Sequence, residues 1–214
     1  MKIPALSLAA AALLLSACAK DKPLSLPDQP VDRAATCGIV AAANARVQTT
    51  DIKKPLTLAA QGRILHYALL AGSESGAFDP QVSNQVVQRM PQLEAGVTQG
   101  KWQPLVAACA EAYPAAEKTD PSLPANRTDA LLACDELDNF LLVALEKQNS
   151  EHANEIAEYR QFKYKLDAAL VAGLRARAGA SPAAQRAERN KALARAASLG
   201  SPVPVLEACG KKFG

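Results

Sequence analysis

Apolar positions along the chain fall into helical stripes separated by short breaks that carry proline and glycine. Cys134, Leu137, Leu141 and Leu145 recur at three- and four-residue spacing, as do Ile156, Tyr159, Phe162, Leu166 and Leu170. Such spacing puts apolar side chains on one face of a helix of 3.6-residue period. Read this way, the sequence predicts helices over 33–48, 56–73, 80–97 and 104–113, then over 129–148, 153–178, 182–198 and 204–211. Asp79 before Pro80 predicts an N-cap followed by proline in the first turn. Thr128 and Ser181 are the expected caps of the fifth and seventh helices, and Gly200 is an expected stop. Pro91 lacks an N–H and its ring crowds the preceding turn, so a kink or interruption is expected there.

Composition strengthens the helical reading. Alanine is abundant, aromatic residues make up only 4% of the chain, and alanine loses no side-chain entropy on entering a helix. The expected fold class is all-α.

The predicted elements also repeat. Residues 104–113 read PLVAACAEAY and residues 204–213 read PVLEACGKKF, with their cysteines at 109 and 209. Ala68-Leu69-Leu70-Ala71-Gly72 matches Ala169-Leu170-Val171-Ala172-Gly173, and Arg89, Leu93 and Gly100 match Arg189, Leu193 and Gly200. The sequence therefore predicts a tandem duplication of a roughly four-helix, disulfide-closed unit, packed as a helical bundle. Repeat 1 spans 33–117, a two-proline connector 118–127, and repeat 2 spans 128–214. Four cysteines in the body, Cys37, Cys109, Cys134 and Cys209, allow three pairings. The repeat selects Cys37–Cys109 and Cys134–Cys209, each tying the first helix of a unit to its last, and leaves Cys109–Cys134 as the cross-unit alternative.

The N-terminus carries a different signal. Lys2 precedes an apolar run from Ile3 to Leu15, too short to span a bilayer but suited to a signal-peptide core. It ends in Leu15-Ser16-Ala17-Cys18, which resembles the lipobox of bacterial lipoprotein precursors at all four positions. The resemblance implies loss of residues 1–17, lipidation of Cys18 and anchoring to a membrane of the cell envelope. Ala19 and Lys20 follow the cysteine in place of an aspartate, which in enterobacterial lipoproteins accompanies transfer to the outer membrane. Residues 18–32, with Pro23, Pro27 and Pro30, are expected to form an extended lipidated tether.

Charge adds little to the choice of partner. The chain has a formal net charge of +3, and 197 of its 214 residues would remain after signal removal. Lys and Arg outnumber Asp and Glu by five from residue 151 onward and fall short by three over 18–150. A solvated basic helix face accounts for this, and contact with acidic polymer or lipid headgroups is the sharper reading. Nucleic acid is not an expected partner.

Candidate chemistry is sparse. His152 and Glu155 stand at i, i+3 in EHANE, but His66 has no matching carboxylate at that spacing, so no metal or other cofactor is expected. Asp135, Glu136 and Asp138 cluster in CDELDN, where the dipole of a helix N-terminus accounts for acidic residues. Ser73 in SESG sits where a helix should end. In EYRQFKYK, Tyr159 and Phe162 join the core stripe, Tyr164 turns outward, and Lys163 and Lys165 are read as its basic flank. Trp102 is either a core plug or an exposed anchor. No catalytic residue is assigned.

The sequence thus leads to a membrane-tethered envelope lipoprotein, a non-enzymatic binding or scaffold module whose partner is an envelope protein or an acidic polymer. The alternatives are an inhibitor of a wall-degrading enzyme or a small-ligand carrier using a groove between the repeats, and then a helical metal-dependent enzyme.

Overall fold

A computed structural model describes residues 24–51, 53–146 and 152–214. The expected signal peptide (1–17) and Cys18 lie outside the described residues. Among the described residues eight α-helices follow one another: α1 Pro30–Val47, α2 Leu58–Gly72, α3 Pro80–Thr98, α4 Leu105–Ala112, α5 Arg127–Glu146, α6 Ala153–Ala178, α7 Pro182–Leu199 and α8 Pro202–Phe213. A 3-10 turn, Pro114–Glu117, follows α4. No described helix is long and apolar enough to cross a membrane.

Local chemistry sets many of these boundaries. Asp79 accepts from the Gln81 amide (2.8 Å) and starts α3, and Thr57 accepts from Ala60 (3.3 Å) at the start of α2. Ser181 accepts from Ala184 (3.4 Å) at α7. Gly200 ends α7 at φ 153°, and a Cβ there would lie 2.8 Å from the Lys118 carbonyl, so both backbone and space call for glycine. The cap of α5 is not Thr128 but Asn126, whose side chain accepts from the Asp129 amide (3.1 Å). Thr128 instead packs on Gly173, where an added Cβ would meet its methyl group at 2.8 Å. Pro91 does not interrupt α3, which runs through it on an exposed face.

Each half of the chain packs its first helix against its second and third and closes with a short helix disulfide-bonded to the first. The bonds are Cys37–Cys109 (α1 to α4) and Cys134–Cys209 (α5 to α8), across 72 and 75 residues. The repeat-matched arginines also act alike. Arg89 of α3 grips Asp32 of α1 at 2.7 and 3.2 Å, and Arg189 of α7 grips Asp135 of α5 at 2.8 Å.

The two halves share one helix. Tyr67, Ala68 and Ala71 of α2 face the core of the first repeat, whereas Leu65 and Leu69 enter the core built by α5, α6, α7 and α8. Gly62 permits the approach of α8, since a Cβ there would lie 3.1 Å from Val203. A helix with two buried faces is apolar nearly all round, which is the character of LAAQGRILHYALLAG.

The start of the body differs from the expected tether. Leu24 and Leu26 pack on the first core, Arg33 donates to the Pro27 carbonyl (3.2 Å) and α1 already begins at Pro30, so residues 24–32 belong to the folded body. The connector 118–127 is likewise docked. The Lys118 carbonyl accepts from the Ser201 amide (3.2 Å), and Leu123 packs on the second core. Trp102 is 8% exposed within the first core, a plug rather than an exposed anchor.

Candidate functional site

The seam between the repeats opens into a groove of about 490 Å³. One wall is Pro80, Ser83, Asn84 and Val87 of α3, and the facing wall is Glu136, Asn139, Phe140 and Val143 of α5. Each set is spaced i, i+3, i+4, i+7, so each is one helix stripe. Leu65 of α2 and Leu193 of α7 also line it.

Phe78 fixes the mouth. It precedes the α3 cap, its amide donates to the Asn190 carbonyl of α7 (3.0 Å), and its ring meets that of Phe140 edge to face with centroids 5.8 Å apart. This single residue joins the repeats by backbone and by ring. Sequence reading passed over it. The available signal was an isolated aromatic residue just before an Asp-Pro helix start.

Val87 and Val143 remain 40% and 51% exposed on the two walls, apolar surface turned to solvent beside the groove. The side chains of Asn84, Asn139 and Asn190 have no hydrogen-bond partner among the described residues. Glu136 is the one ionisable side chain in the described lining, and it is bonded to Arg189. No histidine, lysine or cysteine stands in that lining. The arrangement offers apolar contact and amide hydrogen bonds to a neutral guest.

Behind the groove lies a charge network, where the sequence suggests only acidic residues favoured by a helix N-terminal dipole. Asp135 and Asp138 are fully buried. Lys163 of α6 bonds Asp135 at 2.9 Å and Asp167 at 3.0 Å, while Arg189 reaches Asp135 from α7. Lys163 is therefore an internal counter-ion, not a solvated flank of Tyr164, which is 76% exposed. Neither oxygen of Asp138 has a hydrogen-bond partner. Burial pushes its pKa up to about 7, with Lys163 opposing and Asp135 reinforcing the shift. Burial also raises Glu136 against the pull of Arg189. Asp138 does not line the groove, so its protonation bears on the packing of α5 and not on a guest.

Several basic side chains of the second half are paired within the chain. Arg177 pairs with Asp129, Lys191 with Glu188, and Arg195 stands 3.5 Å from Asp129.

Both histidines sit at the seam between the repeats. His66 is fully buried and donates from Nε2 to the Ala197 carbonyl at 2.8 Å. Burial lowers its pKa to about 4, and Nδ1 has no partner. His152, at the start of α6, where a side chain would ordinarily be solvated, is 8% exposed. Gln61 Nε2 donates to the Leu56 carbonyl (2.9 Å), and His152 Nε2 lies within hydrogen-bond distance of both Gln61 Nε2 (2.8 Å) and the Leu56 carbonyl (3.2 Å), with Nδ1 3.7 Å from Glu155. Among the described residues, no three His, Cys, Asp or Glu side chains gather as a metal site. Ser73 ends α2 and donates to the Leu69 carbonyl (2.7 Å), as a helix-terminal hydroxyl does.

No protein-family model matches the chain, and neither a curated protein nor a solved structure is similar to it.

Proposed function

We propose that this chain is a lipid-anchored envelope protein that holds a ligand without transforming it, and that the groove between its repeats is the holding site. The observation that carries this reading is the facing pair of helix stripes across about 490 Å³, a size within the roughly 300–1,000 Å³ of small-molecule sites. The lining favours a neutral ligand with an apolar body. Phe78, Phe140, Val87 and Val143 supply apolar contact, and Asn84, Asn139 and Asn190 supply amides for hydroxyl or carbonyl groups. A charged guest is disfavoured, because the one carboxylate in the described lining is already matched by Arg189.

The anchor rests on Leu15-Ser16-Ala17-Cys18. Lipid on Cys18 would keep the protein at an envelope membrane while its helical body faces the aqueous side. Mass spectrometry of intact protein, extracted with its anchor and then unfolded, tests the reading. The expected result is release of a neutral, largely apolar compound in near-stoichiometric amount from a sample that turns over no envelope substrate. Release of nothing, with turnover by the same sample, would contradict it.

A further inference from the structure

A second cleft, of about 520 Å³, lies within the first repeat. Its walls are largely apolar: Ile39 and Val47 of α1, Ile64 of α2, Met90 of α3 and Trp102. Gly38 makes room for the wall to adapt, since a Cβ there would lie 2.3 Å from Met90 Cε. Methionine is unbranched and reshapes readily around a guest. Val47, in the cleft lining, is 73% exposed.

The described chain begins next to this cleft. Leu24 lies on Gly100, where an added Cβ would be 2.7 Å from Leu24 Cδ1. Gly100 stands between Thr98 and Trp102, and both line the cleft. Cys18 is six residues before Leu24, and six residues reach about 20 Å when extended. An acyl chain on Cys18 starts within reach of the one largely apolar cleft beside which the described chain begins.

We propose that this cleft seats one acyl chain of the lipid on Cys18 whenever the protein is away from a bilayer. The inference rests on the lipid-anchor reading above. Burial in the cleft removes methylenes from water, and the bilayer offers the same removal with more room. The chain therefore exchanges between the two, and the protein travels with part of its own anchor covered.

The test uses cells fed a fatty acid that carries a photoreactive diazirine. The mature protein is irradiated after detergent-free release, and its peptides are mapped by mass spectrometry. The inference predicts adducts joining the Cys18 lipid to peptides containing Val47, Met90 or Trp102, reduced at least fivefold in Val47→Asp. A lipidated Cys18 whose adducts fall elsewhere overturns the cleft and leaves the anchor standing. An unmodified Cys18 overturns both. A second measurement removes the anchor. In Cys18→Ser, 9,10-dibromostearate should quench Trp102, the only tryptophan, saturably and with one equivalent. It should do so at least tenfold more weakly in Val47→Asp. Equal quenching in the two variants, or none, would contradict the assignment.

Discussion

His66 of α2 and Ala197 of α7 are joined across the seam between the repeats by a buried hydrogen bond of 2.8 Å. The imidazole is held neutral there, because its charged form would have to be buried without a counter-ion. Burial likewise disfavours the charged form of Asp138 in the core of the second repeat, with Lys163 opposing the shift.

The two groups give opposite pH dependences. His66 titrates at about 4 in the folded chain against an ordinary 6.5, so the unfolded chain binds its proton first. Its contribution is complete above pH 6.5 and is lost as pH falls toward 4, up to about 3 kcal/mol. Asp138 titrates at about 7 against an ordinary 3.8, so the folded chain binds its proton first. Its cost grows as pH rises from 3.8 and levels off above 7, up to about 4 kcal/mol. Between pH 4 and 6.5 the two nearly cancel. Urea unfolding of His66→Gln across this window should show stability falling as pH rises, and Asp138→Asn should show it falling as pH drops. Parallel profiles for both variants and the parent chain would refute these assignments.

Leu69 belongs to the first repeat by sequence and to the second by packing. Leu69→Ala should cost about 2–5 kcal/mol, the range for a fully buried leucine. Amide exchange should rise in α5 and α7 as well as in α2. A rise confined to the first repeat would mean that the two halves do not share this helix.

The disulfides close loops of 72 and 75 residues. In the chain-entropy model each contributes roughly 4 kcal/mol by restricting the unfolded chain. The paired substitutions Cys37→Ala with Cys109→Ala, and Cys134→Ala with Cys209→Ala, should each lower the urea midpoint, and non-reducing peptide maps of the parent should join 37 to 109 and 134 to 209. A peptide joining 109 to 134 would contradict the fold.

The helices and the cystine pattern were legible because both are written locally or by repetition. The Cys134–Leu137–Leu141–Leu145 stripe is wholly buried, and spacing alone predicted that. The charge network was not legible. Asp135 meets Lys163 and Arg189 from 28 and 54 residues away, and a carboxylate in the early turns of a helix reads equally well as solvated. His152 at a helix start reads as solvated for the same reason, yet it is buried by Gln61 and Leu56 of the other repeat. The groove was expected only as a location between the repeats. Its walls depend on which faces of α3 and α5 are left unpacked, and no single helix records that.

The central claim is that the inter-repeat groove holds a neutral apolar ligand. Titration of Cys18→Ser protein with the fluorescent apolar probe 1-N-phenylnaphthylamine, alongside the same protein carrying Val143→Arg, tests it most directly. Val143 is 51% exposed, so the arginine should leave folding within about 0.5 kcal/mol of the parent while placing a charge against the guest. The account predicts saturable binding weakened at least tenfold by Val143→Arg, with an unchanged urea midpoint. Equal affinity in the two proteins would contradict it.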